Sequence, residues 1–268
     1  VKLGGPRRSP ARWVAYFNLL ITAKGGKNRM VYAKAFFDLQ WQFADKVTAI
    51  SGLPLPRVLF EYTNLYIRFG CGRDFQPTHP IWQAYLDGLQ DTNDRRAWTY
   101  RFYLTRDEAM AEPPVVATFG CFSYALLPGD RIRLHFQNVD TAGRSSLGVA
   151  CVGQRRADLT ALFGHVQRTL PTRAQVVGIS WLYNLEAYRR LFPVSYIATA
   201  RGLRNRFRSM PLWGQFLDRH GGLKEQMTRP FLARLAQQTC VERVHECFPL
   251  QVLTVEAPVQ EFYDFYGL

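Results

Sequence analysis

The chain has 268 residues, 47% apolar and 21% charged, with a net charge of +13. That fits one large domain or two small ones with material for a substantial core. It excludes collagen, coiled-coil and wholly disordered readings. The positive excess is uneven: residues 1–29 hold seven basic side chains and no acid, which leaves +6 on the other 239. A basic balance favours phosphates, nucleic acid or anionic surfaces.

Residues 1–29 suit no regular element at their start, where glycine and proline punctuate Leu3 to Pro10. The apolar run Trp13–Ala23 is too short to span a bilayer, although basic residues before it mimic a secretion signal. A plainer reading places the functional start at Met30, which opens a clean helix. No other stretch has the roughly 18 apolar residues of a spanning helix, so no membrane association is expected. Five scattered cysteines without a CxxC pair point to a reducing cytoplasm.

The chain divides into a basic segment (1–29), a helical part (30–112) and a mixed sheet-and-helix part (113–268) packed on it as one body. Ala33, Phe36, Phe37, Trp41, Ala44 and Val47 recur at helical steps over 30–50. A second helix runs unbroken from Leu55 to Phe69, and a third follows Thr78 as its N-cap. Trp98 to Leu104 alternates with a period of two and predicts a strand. Residues 115–126 and 131–136 flank the turn Pro128-Gly129-Asp130 and predict a hairpin. In its second strand Ile132, Leu134 and Phe136 face one way, and Arg131, Arg133 and His135 the other. A helix over 154–170, a strand over 176–181, a short helix over 185–192 and a strand over 196–200 follow. Helical pattern returns from 209 to about 238, and a last strand covers 250–255. The aromatic tail (Phe262, Tyr263, Phe265, Tyr266) docks on the body. The class is α+β or α/β, with the sheet in the second half.

The order strand, loop, helix, strand, short helix, strand, with Asn184-x-x-Ala187 just after a strand, resembles the later half of the GNAT acyltransferase fold. The resemblance covers roughly residues 115–200. It implies an acyl-CoA cofactor whose pantetheine arm runs between two splayed strands beside Asn184. In that family a Gln/Arg-x-x-Gly-x-Gly/Ala loop opens the first helix and holds the diphosphate. Here Arg144 to Ala150 is one residue too long for that pattern and precedes the expected helix start, which leaves Gln154, Arg155 and Arg156 as the diphosphate contacts. The family's proton donor, a Tyr four residues after the Ala, is replaced by Leu191, with Tyr183 and Tyr188 nearby. As an alternative, Asn184 is simply a helix N-cap.

His135 beside Arg131 and Arg133 is the expected general base, because neighbouring cations disfavour its charged form. Tyr183 shares the proton handling. Tyr62, Tyr66 and Trp82 are expected to wall a pocket for a small-molecule acyl acceptor. Cys240, His245 and Cys247 are three soft ligands without a fourth nearby, so no metal is expected. Gly178-Ile-Ser180-Trp-Leu182 lacks the second glycine of a nucleophile elbow, and no P-loop occurs. The leading function is an acyl-CoA-dependent small-molecule N-acyltransferase. One rival is a nucleic-acid or polyanion binder using residues 1–29 and the basic run 201–208. Another is a catalytically inactive relative that serves as an interaction partner.

Overall fold

In a computed structural model of the chain, the described residues are 31–106, 115–138, 145–170 and 173–268. The basic segment 1–29 and Met30 lie outside them. The architecture is α+β: a helical part precedes a six-stranded mixed sheet.

The helical part contains α1 (Lys34–Ser51), α2 (Leu55–Tyr62), α3 (Leu65–Arg68), α4 (Pro80–Gln90) and α5 (Arg95–Leu104). Gly52 ends α1 in the left-handed conformation, where its N–H bonds Thr48 O. The expected unbroken second helix is split at Thr63 and Asn64. There the buried Gln40 Oε1 accepts from the Asn64 N–H at 2.9 Å, in place of a helical carbonyl. The cap of α4 is His79 rather than Thr78, with Nδ1 accepting from the Ile81 N–H.

The strand expected over Trp98–Leu104 is instead the body of α5. Asp94 caps it by accepting from the Ala97 N–H at 2.9 Å. Apolar residues at every second position mimicked a strand, yet Trp98 and Phe102, four apart, meet at 5.5 Å on one helix face. Thr99 is buried and ties Trp41 Nε1 to the Tyr85 hydroxyl.

The strands are β1 (Val115–Phe119), β2 (Phe122–Leu127), β3 (Arg131–Phe136), β4 (Gln175–Ser180), β5 (Arg201–Leu203) and β6 (Val252–Pro258), ordered β1-β2-β3-β4-β6-β5. Only β3 and β4 run parallel; the other neighbours are antiparallel. The parallel crossover is made by α6 (Val152–Thr169), entered through a 3-10 turn at Val149–Cys151. After β4 come a 3-10 turn (Trp181–Asn184), α7 (Glu186–Arg189) and α8 (Val194–Ala198). The strand expected at 196–200 is therefore a helix, and the strand follows it as β5. Pro193 at the N-cap sets the entry of α8. The helical pattern expected over 209–238 is met by two helices, α9 (Met210–Trp213) and α10 (Glu225–Gln237). The chain ends in α11 (Val259–Tyr266), whose Phe262 and Tyr263 are buried, as the aromatic tail required.

Two apolar clusters lie on the sheet's two faces. One holds Ile132, Leu134, Val176 and Val255 with Leu159, Leu162 and Phe163 of α6 and Phe262 of α11. The other belongs to the helical part and takes in Val252, with Ile179 and Leu203 packed against it. Phe43 of α1 is its hub, within 6 Å of the rings of Phe207, Trp213, Phe231 and Phe248. Each such ring contributes about 1.5–3 kcal/mol when fully buried. Residues from 207 to 248 thus complete the core begun by α1, and Tyr32–Leu268 fold as one unit.

Asp94→Ala should lower unfolding free energy by about 1 kcal/mol in denaturant titration, the usual value of a helix cap. An unchanged midpoint would show that α5 does not depend on it.

Candidate functional site

The parallel pair is incomplete. Both strands have six residues, but only Arg131, Ile132 and Arg133 pair, with Gln175, Val176 and Val177. Beyond that point β3 stays fully paired with β2 and β4 with β6. The sheet therefore opens at its middle, over 134–136 on one side and 178–180 on the other.

Three tyrosines crowd the opened end. Tyr183 and Tyr196 share a hydrogen bond of 2.8 Å between hydroxyls, and Tyr188 stacks edge-on against Tyr183. All three are buried, which drives their phenol pKa values well above 10 and keeps them protonated. The pair presses on Gly178, the first β4 residue past the pairing. A Cβ there would overlap both hydroxyls. Only glycine permits so close an approach.

His135 and Arg133 project from the opposite face of β3, as the alternation predicted. Both are half-buried, and His135 Nε2 and Arg133 Nε are inaccessible and make no hydrogen bond. Burial first, then the charges of Arg133 and Arg73, pushes the His135 pKa down to about 4. The imidazole is neutral at pH 7.

Asn184 is not the cap of α7; Leu185 is. The Asn184 Nδ2 donates to Trp181 O at 2.7 Å and Gln251 O at 2.8 Å, tying the end of β4 to the residue before β6. Its exposed Oδ1 has no partner among the described residues. Gln154 and Arg155 both engage the buried Asp158 of α6: the exposed Gln154 donates through Nε2 to Asp158 Oδ1 at 3.0 Å, and Arg155 Nε lies 2.9 Å from Asp158 Oδ2. Arg155 also donates to Cys121 Sγ. Arg156 is exposed, with its guanidinium 5.0 Å from the Phe265 ring centre.

Tyr66 and Trp82 pack in the helical core; Tyr62 is half-buried and stacks on Phe207. Cys240 donates to Glu242, His245 Nδ1 contacts the Glu242 carbonyl, and Cys247 is buried near Gln238. Among the described residues no cluster of His, Cys, Asp or Glu could hold a metal. Nor is any described helix long and apolar enough to cross a membrane.

Two features were missed in the sequence. The helical entry begins at Val149, not Gln154, so Gly148-Val149-Ala150 lies at the start of the crossover helix. Gly148 and the small Ala150 were the signal. Arg73 gave none, because only the fold brings it near β3. Compared with known proteins, the chain matches no protein-family model, no curated protein and no solved structure.

Two outcomes follow. A histidine harder to protonate when folded binds fewer protons in the native state, so its penalty is absent above about pH 6.5 and grows as pH falls toward 4. Between pH 7 and 4.5 the native chain should lose about 2 kcal/mol more stability than His135→Gln. Equal losses would contradict the buried neutral imidazole. Gly178→Ala should cost about 1–3 kcal/mol by displacing the phenol pair, read as a lower denaturation midpoint; a neutral effect would contradict that packing.

Proposed function

We propose that the protein is an acyl-CoA-dependent N-acyltransferase acting on a small amine. The parting of β3 from β4 after Arg133 and Val177 carries this reading. A gap inside a sheet exposes backbone donors and acceptors to which an extended amide-bearing chain can add. The exposed Oδ1 of Asn184 is free to accept from an amide of the pantetheine arm.

The start of α6 supports the same reading. Ser145-Ser-Leu-Gly148-Val-Ala150 leads into the helix, so a Gly-x-Ala falls where the family's diphosphate loop ends, with Ser145 in place of Gln or Arg. No side chain caps α6, and its first turn holds no acid. The 3-10 turn bonds the Cys151 and Val152 N–H groups to the Gly148 and Val149 carbonyls, so the amides offered to a diphosphate are those of Val149 and Ala150 at the start of that turn. Because Gln154 and Arg155 are engaged by Asp158, the contacts fall to these amides, with Arg156 alongside.

The amine nitrogen attacks the thioester carbonyl carbon and the C–S bond breaks. His135 takes the proton lost by the amine, and Tyr183, held protonated, returns one to the departing thiolate. His135 is a weak base while Arg133 and Arg73 press on it. A polyanion-binding role rests on the exposed Arg201, Arg204 and Arg206 around the edge strand β5.

Acetyl-CoA at 100 times its dissociation constant should stabilise the chain by about 2.7 kcal/mol, a thermal shift of several degrees. No shift in a well-folded sample contradicts the proposal. A shift without turnover of any amine would favour the inactive relative.

A further inference from the structure

We propose that Arg73, Arg133 and Arg206 form a receptor for a compact oxyanion, a carboxylate or phosphate carried by the small molecule this protein handles. The three come from a loop after α3, the middle of β3 and the loop after β5. Two rings hold those loops together: the Arg208 guanidinium lies 4.7 Å from the Phe60 ring centre and 4.9 Å from that of Phe75. Arg73 stands two residues before Phe75, and Arg206 two before Arg208. The clamp holds the loop of Arg73 beside the loop of Arg206; both side chains are exposed, and their charges act on the half-buried Arg133.

The strand residues around Arg133 are covered without belonging to the apolar core. Arg133 pairs with Ala125 on one side and Val177 on the other, and both are buried although neither belongs to an apolar cluster. Arg133 Nε and His135 Nε2 are inaccessible and unpartnered, as is the Nε of the buried Arg68. None of the four arginines takes part in an ion pair among the described residues. The nearest acid in sequence, Asp74, accepts from the Tyr66 hydroxyl instead. Burial and mutual repulsion lower the pKa values of Arg73 and Arg133, which marks charges held together without a counter-ion. Guanidinium groups that stay charged and bind in a planar fork suit a carboxylate or phosphate. The recessed position of Arg133 favours a compact anion over a nucleic-acid backbone tracking the surface.

Assigning this anion to the acyl acceptor rests on the acyl-transfer reading; the site itself does not. An anion there would relieve the repulsion on His135 and make it a better base as the acceptor binds.

The test uses the full chain in chloride buffer at fixed ionic strength, with inorganic phosphate and succinate as probes. Thermal shift and titration calorimetry read binding, and acetyl-CoA is titrated separately on the same sample. At least one probe should raise the midpoint by several degrees over chloride; which one does so separates phosphate from carboxylate. Arg133→Met should raise the midpoint of the free protein, by removing repulsion, and weaken that probe at least tenfold. Arg73→Ala and Arg206→Ala, both exposed, should weaken it without unfolding risk. Probes no better than chloride overturn the proposal. So does an Arg133→Met variant with a lower midpoint and unchanged probe affinity. An oligonucleotide that binds more tightly than either probe and is indifferent to Arg133→Met also overturns it. Anion binding without acetyl-CoA binding keeps this site and refutes the acyltransferase; the reverse refutes this site alone.

Discussion

A buried backbone amide must find a partner, which makes the point where a ladder stops inside a sheet the decisive constraint on this structure. The strand β3 is bonded along its whole length to β2, and β4 along its whole length to β6. Between them the ladder stops after three residues. Fully paired neighbours on both sides hold the two edges of the opening in place. The phenol pair against Gly178 occupies the level at which pairing ends, so β4 is fixed there by packing. The acyl-transfer proposal depends on this interrupted ladder.

The two faces of the opening differ in kind. On the α6 side it meets buried tyrosines, which are proton donors and not charges. On the other side it meets Arg133 and His135, whose pKa values are lowered by burial first and then by neighbouring charges: Arg73 and Arg206 act on Arg133, and Arg133 and Arg73 on His135. The break in the ladder, protonated phenols and the half-buried Arg133 and His135 therefore lie within a few residues of one strand pair. Such a convergence suits a ligand with an extended polar chain on one side and a small anion on the other.

Local patterns were legible where burial is one-sided. The helices α1, α4 and α6 follow from apolar residues at helical spacing, and β3 from strict alternation of core and charged residues. The helix α5 was misread because Trp98, Tyr100, Phe102 and Leu104 share a parity, while its cap Asp94 and its buried Thr99 and Tyr103 carried the true signal. At Tyr196 aromatic and β-branched residues suggested a strand, but Pro193 starts a helix there. His135 and Tyr183 could be singled out, since each sits on an element with a clear period. The interrupted ladder could not be read, because register between β3 and β4 is a contact across some forty residues. The arginine recess had the same obstacle: Arg133 and the run 201–208 stood out, but only tertiary packing adds Arg73.

Residue-resolved amide hydrogen exchange on residues 131–136 and 175–180, with and without acetyl-CoA, addresses the interrupted ladder most directly. In the free protein, the amides of 134–136 and 178–180 that point into the opening should exchange far faster than those of 131–133 and 175–177. Saturating cofactor should then slow them. Uniform protection along both strands in the free protein would mean the ladder is continuous, and the account of this site would fail.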